Sequence, residues 1–222
     1  MVNAEPLAQS RWARARWLVL APHPDDETLG AGALIAHSAS QDRLGAIVFL
    51  TDGTGSHPKG TPRVAATRRS EARNAFGRLG GKAIPTIWMG WRDAHPHPVD
   101  SQAFTRDAGR LAALLRWHRI DAIAVTDKSE AHCDHVAAYS LGEAALRKAR
   151  RPIALFAYHV WSEAPSRVRR IATPPMPAGR RRHALLAHRS QLSPVIGQGF
   201  RLPREKLRMP AQDVLTLRKD RR

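Results

Sequence analysis

The chain has 222 residues and a single cysteine, which excludes an internal disulfide framework and fits a reducing compartment. A hydrophobic fraction of 43% allows one sizeable core, and the longest apolar runs fall far short of a membrane span. The formal charge of +17 is uneven: residues 1–146 hold 17 basic and 15 acidic side chains, residues 147–222 hold 19 and 4, so any pull on polyanions resides in the last third.

Met1 to Arg16 carries Arg11, Arg14 and Arg16 but no apolar stretch of signal-peptide length, so it reads as a loosely ordered leader on a cytoplasmic protein. Trp17 to Ala21 is a short apolar run that reads as a buried strand; it breaks at Pro22 and Pro24. Leu29, Ala33 and Leu34 then recur at helical spacing, to about Ser38. Between strand and helix stand His23, Asp25, Asp26 and Glu27. In an open α/β sheet this is the carboxyl end of a strand, where ligand crevices form. Imidazole with carboxylate suits a divalent transition metal. The acids by themselves would also serve as a helix cap. A cap does not account for His23, whose charged form is disfavoured at a helix N-terminus.

Gly45 to Thr51 reads as the second strand, closed by Asp52-Gly53, and the Gly/Pro-rich stretch after it as a loop. Gly30 and Gly32 follow the acids and form no dinucleotide fingerprint. A helix is expected over Arg63 to Leu79, stopped by Gly80-Gly81, and a third strand over Ile84 to Met89, interrupted by Pro85. The loop from Gly90 to Pro98 is polar and aromatic, suited to gripping a sugar; His95 and His97 alternate there with proline and read as loop residues. Phe104, Ala108, Leu111 and Leu115 mark the buried face of the next helix.

Ile120 to Val125 is again a strand feeding a polar turn, with His132, Asp134 and His135 ahead of a helix over Val136 to Ala149. A fifth strand spans Ile153 to Tyr158, and His159 to Glu163 at its end reads as pocket wall. A loop over Thr173 to Gly179 leads to a helix over Arg180 to Gln191 that turns His188 or Gln191 toward the site; from about residue 210 the tail reads as loosely ordered. Strands alternating with helices predict an α/β, Rossmann-like three-layer sandwich in one domain, with a mostly parallel central sheet and the site at the carboxyl ends of its strands.

The run Ala21-Pro-His23-Pro-Asp25-Asp26-Glu27 and the later His132-Cys-Asp134-His135 resemble the PIG-L/LmbE-like family of metal-dependent N-acetylglucosamine deacetylases. Thr51-Asp52-Gly53, Arg68-x-x-Glu71, Leu79-Gly80, Gly90-Trp-Arg-Asp93 and Ala187-His188-Arg-Ser190-Gln191 agree in the same order, from about Trp17 to Phe200. Cys133 departs from the proline usual at that position, which implies a looser turn. The resemblance implies that His23, Asp26 and His135 hold Zn²⁺, with Fe²⁺ as the alternative. It makes Asp25 the general base, His132 the donor to the oxyanion and Asp134 the group that holds His132 charged and oriented. Arg68 and Asp93 would bind substrate. Spacing does not distinguish Asp25 from Asp26; that choice follows from the resemblance.

The activity so implied is removal of the acetyl group from an N-acetylglucosamine-type conjugate by metal-activated water, on a small-molecule substrate whose aglycone stays open. Two rival readings remain. One is a basic nucleic-acid-binding α/β protein, for which no recognised module is visible. The other is a metal hydrolase acting on a different bond, such as a phosphate ester. No transmembrane segment and no specific nucleic-acid partner are expected, and the basic last third leaves contact with a membrane surface open.

Overall fold

In the computed structural model, which describes residues 4–81, 84–165 and 167–220, the first half runs β1 (Glu5–Pro6), β2 (Trp17–Ala21), α1 (Asp26–Ser40), β3 (Leu44–Thr51), α2 (Val64–Leu79) and β4 (Thr86–Trp91). The second half runs α3 (Gln102–Trp117), β5 (Ala122–Thr126), α4 (Cys133–Ala149), β6 (Ala154–Tyr158), β7 (Arg170–Ala172), α5 (Arg180–Leu185) and β8 (Val214–Lys219). The strands form one sheet in the order β1-β7-β8-β6-β5-β2-β3-β4, parallel throughout except for β8, which runs antiparallel to both neighbours.

The apolar strands are buried on both faces, and the period of two divides their side chains between two cores. In β2, Trp17, Val19 and Ala21 face one core while Leu18 and Leu20 face the other. The first core lies under α1, α2 and α5, the second under α3 and α4. This is the three-layer, mostly parallel α/β fold that the alternation of strands and helices predicts. From β2 the chain goes outward through β3 and β4, then returns to place β5 on the other side of β2. The reversal opens a crevice beyond the carboxyl ends of β2 and β5. Both polar turns empty into it.

Several expectations need correction. The leader is tied down over its described part, residues 4–16: β1 pairs with β7, Leu7 and Trp12 are buried, and Trp12 meets Phe156 edge-on at 4.9 Å. The tail is ordered too, because Thr216 and Leu217 pair with β6 while Val214 to Thr216 pair with β7. The leader and tail expectations for residues 1–3 and 221–222 lie outside the described residues. The helix expected over Arg180 to Gln191 is shorter: α5 ends at Leu185, and Arg189–Gln191 is a separate 3₁₀ turn. The β4 strand continues through Gly90 and Trp91 instead of giving way to loop. Trp91 therefore belongs to the core, donating its indole N–H to Asp107 at 2.8 Å, and it grips no sugar.

Candidate active site

The chain leaves β2 through a turn that places four side chains at the crevice. Asp25, the residue before α1, has φ 134° and ψ −30°, a region that residues other than glycine rarely occupy. Such strain costs on the order of 1–3 kcal/mol and concentrates at functional sites. Here it turns Asp25 and Asp26 toward the same cavity while Glu27 turns back: the Glu27 carboxylate accepts from the Asp25 amide at 2.9 Å and from the Thr28 hydroxyl at 2.6 Å. Burial pushes the Glu27 carboxyl up to about 8.

Asp26 Oδ2 is the point on which the site converges. It accepts from the His23 amide at 3.0 Å, lies 3.1 Å from His23 Nδ1 and lies 3.2 Å from His135 Nε2. Burial would raise this carboxyl, but His135 and His23 outweigh it and hold the group far below the usual carboxylate range. The far nitrogen of each imidazole faces another carboxylate. His23 Nε2 stands 3.0 Å from Asp134 Oδ2 and 3.3 Å from Asp93 Oδ1; His135 Nδ1 stands 3.5 Å from Glu130 Oε2. The surrounding carboxylates outweigh burial and raise both imidazoles, His135 to about 9; a bound metal would displace the proton from the inner nitrogen and leave the outer one facing these partners, the tautomer that ligating histidines adopt. Donors bound at ~2.0–2.1 Å to a tetrahedral metal stand about 3.3–3.4 Å apart. The 3.1 and 3.2 Å separations around Asp26 are close to that, and imidazole with carboxylate suits a divalent ion. Among donor sets of the described residues lying wholly within 4.8 Å, however, His23 and His135 occur with His132 and not with Asp26, so these two rings would have to draw together around an ion.

Asp25 lies beside this cluster. Its carboxylate contacts Arg68 Nη2 at 3.3 Å, and Arg68 also donates to the carbonyls of Gly53 (2.9 Å) and Pro24. Gly53 has φ 69°, and a Cβ there would stand 2.1 Å from Arg68 Nη1, which explains the glycine in Thr51-Asp52-Gly53. Burial raises the Asp25 carboxyl to about 7, with Arg68 opposing and the Asp26 charge adding.

His132 heads α4 and accepts at Nδ1 from the Asp134 amide at 3.2 Å, so its Nε2 carries the proton. Burial and the neighbouring His23 hold this imidazole below its ordinary pKa. The Asp134 carboxylate is 4.0 Å from His132 Nδ1 but 3.0 Å from His23 Nε2 and 2.8 Å from the Ala94 amide. Asp134 therefore orients His23 and not, as expected, a charged His132. One nitrogen each of His23, His132 and His135 lie within 4.8 Å of one another, and so do donor atoms of His23, Asp93, His132 and Asp134.

Of the residues singled out in the sequence, His23, Asp25, Asp26, Arg68, Asp93, His132 and His135 line one cavity of about 530 Å³, while Asp134 supports it from behind. Asp93 is fixed by the Gly55 amide at 2.9 Å. Trp161 and Gln191 also face the cavity, whereas His188 is buried with its Nε2 3.7 Å from Glu27 Oε1. His95 and His97 join no ligand cluster among the described residues; His95 Nδ1 is 2.9 Å from the Asp93 carbonyl and His97 packs on Trp91. Sequence reasoning missed Glu130. The available signal was the rule that a ligating histidine rests on a carboxylate. That rule could not choose between Asp127 and Glu130, and Asp127 pairs with Arg218.

Residues 18–146 match the family described as PIG-L: GlcNAc-PI de-N-acetylase, and the chain belongs to that family. No curated protein matches the sequence. Three solved structures share the fold. A conserved protein from Thermus thermophilus is 28% identical over 80% of either chain, with TM-score 0.58. The N,N'-diacetylchitobiose deacetylase from Pyrococcus horikoshii is 21% identical, with TM-score 0.65, over 85% of this chain and 75% of its own. GalB, the 4-carboxy-2-hydroxymuconate hydratase from Pseudomonas putida, is 18% identical, with TM-score 0.57, over 78% of each chain. Fold alone therefore does not specify the reaction, and the side chains at the crevice must.

Proposed function

We propose that this chain is a metal-dependent N-deacetylase that hydrolyses the acetamide of an N-acetylglucosamine-type conjugate in the cytoplasm. The observation that carries the reading is the convergence of His23 and His135 on Asp26 Oδ2, with Asp25 free of that cluster and lifted to about 7. His23, Asp26 and His135 would hold the ion, with zinc favoured; iron(II) suits the same donors, and ligand type does not decide between them. A bound divalent ion lowers the pKa of water toward ~7 and polarises a carbonyl.

The protein's own groups supply the remaining chemistry. Asp25 takes the proton as water adds to the acetyl carbon. Arg68 holds the carboxylate in place for that transfer and stabilises its charged form. As the carbonyl carbon becomes tetrahedral, His132 donates its Nε2 proton in a hydrogen bond to the developing oxyanion; a neutral imidazole suffices. Asp25 then returns its proton to the nitrogen as the C–N bond breaks, giving acetate and the free amine. Asp93 and Arg68 face the cavity where hydroxyls of the sugar would lie.

Metal content and single-turnover deacetylation, measured on three variants, test this division of labour. Asp25→Asn should keep its metal and lose ~10²–10⁴-fold in turnover, as general acid–base groups do. Asp26→Asn should bind metal weakly and recover activity as metal is added. His23→Ala should lose the metal; wild-type stoichiometry in that variant would refute the ligand assignment. Loss of metal from Asp25→Asn with retention in Asp26→Asn would exchange the two roles. Release of phosphate from phosphomonoesters, without acetate from N-acetylated sugars, would favour the rival hydrolase.

A further inference from the structure

The buried lining of the cavity, its floor, is mostly imidazole and carboxylate, whereas the exposed lining at its mouth is largely apolar, with Ala94, Ala131, Trp161 and Phe200 beside Gly55 and His132. Trp161 is 43% exposed and Phe200 46%, and their rings meet edge to face, 6.3 Å apart at 85°. Exposed large apolar groups gathered at a cavity mouth mark a surface that a ligand covers.

The corner is held in place from several sides. Glu130 accepts the amides of Val160 (2.8 Å), Trp161 (3.1 Å) and Ser162 (3.2 Å), which fixes the loop carrying Trp161. Lys206 lies 4.6 Å from the Trp161 ring centre and donates to the Val160 carbonyl. The Phe200 amide donates to the Ser56 carbonyl at 2.7 Å. Arg201 donates to the carbonyls of Ser190, Gly197 and Phe200. The cations beside the rings are thus engaged with backbone oxygens and an aromatic face, and the surface they leave open is apolar.

We propose that Trp161 and Phe200 form an aglycone subsite that takes an apolar aryl or alkyl group joined to the reacting sugar. The inference rests on the deacetylase reading. Floor and mouth belong to one cavity, so the group attached to a sugar bound at the floor runs along this wall. Along that wall the two alanines and the Phe200 ring offer a second sugar no hydroxyl partner, and the polar lining residues Ser56 and Gln191 are joined to each other at 3.4 Å.

The test uses the metal-loaded protein and two amine products, phenyl and methyl β-D-glucosaminide, whose dissociation constants are read by calorimetry without turnover. Covering one aromatic face should make the phenyl glycoside bind about tenfold tighter than the methyl one. Phe200→Ala and Trp161→Ala, both at half-exposed positions, should each bring that ratio toward one. Equal binding in the wild type, or an unchanged ratio in both variants, overturns the subsite. Tighter binding of the glucosamine disaccharide than of the phenyl glycoside overturns it in favour of a second sugar. Acetate release from phenyl N-acetyl-β-D-glucosaminide is scored separately. A mouth-dependent phenyl preference without acetate keeps the subsite and removes the deacetylase, and acetate without the preference does the reverse.

Discussion

Glu130 accepts from four donors on one loop, the amides of Val160, Trp161 and Ser162 and the Ser162 hydroxyl, and turns an oxygen toward His135. Burial would raise this carboxyl, but His135 and the loop donors hold it down at about 2. Glu130→Gln keeps the shape and removes the charge that fixes the His135 tautomer. Carboxylates in this position are worth ~10–100-fold in metal affinity, and competition against a chelator should show a loss of that size. Unchanged affinity would mean that His135 is oriented without Glu130. His188 behaves differently. It is fully buried, and burial, with Arg68 adding, depresses its pKa to about 3. Below its ordinary value near 6.5 the unfolded chain takes up a proton that the folded one refuses, so stability falls as pH drops from about 6.5 toward 3. In metal-free protein His188→Leu should flatten the dependence of unfolding free energy on pH in that window by up to about 1.4 kcal/mol per pH unit. Parallel slopes in the two proteins would show that the folded ring protonates freely.

At the scale of elements, the seating of α1 determines where Asp26 lies. Gly30 sits against Tyr158, which donates to the Leu20 carbonyl at 3.0 Å; a Cβ at Gly30 would come within 2.2 Å of the ring. Gly30→Ala must therefore lift the first turn of α1 or displace Tyr158, and overpacking of this kind costs ~1–3 kcal/mol. Thermal unfolding should register that cost, and metal affinity should fall with it because Asp26 lies one turn away. A stable variant with normal affinity would show that the helix position is not what aligns the ligand. The elements from Trp17 to Tyr158 are legible in the sequence because their apolar runs are short, complete and punctuated by Gly and Pro. The β7 and β8 strands are not: Arg170-Ile-Ala is too brief, and Val214-Leu-Thr-Leu-Arg-Lys ends in two cations. What makes β8 a strand is pairing with β6 and β7, remote in sequence. The site divides the same way. Adjacent acids and two histidine clusters announce themselves, whereas the side of Asp134 that faces His23, and the turn of Trp91 into the core, depend on tertiary contacts.

Over the whole molecule, part of the excess charge of the last third is engaged in structure. Arg181 pairs with buried Asp213 and donates to the Thr28 and Leu29 carbonyls, Arg218 pairs with Asp127, and Lys219 pairs with Glu143. Among the described residues no helix is long and apolar enough to cross a membrane. Arg181, Arg218 and Lys219 are occupied by acids and carbonyls, whereas Arg182, Arg204 and Arg208 share one surface pocket with Glu205. Binding to a short DNA, followed by fluorescence anisotropy, should be weak and lose orders of magnitude between about 50 and 200 mM salt, as non-specific binding does. Tight, sequence-selective binding at physiological salt would revive the nucleic-acid reading.

The placement of β8 also bears on how the chain leaves the ribosome. Within the sheet, β7 and β1 reach the parallel strands through β8 alone, yet β8 emerges after every strand it joins. Until then the nascent chain carries Leu7 and Trp12 without their final cover, and β6 is an open edge whose backbone at Phe156 and Ala157 lacks its partner. Such an edge invites pairing with other chains. Arrival of β8 covers that edge and joins β7 and β1 to the sheet, so that protection from aggregation comes with the last of these strands in chain order.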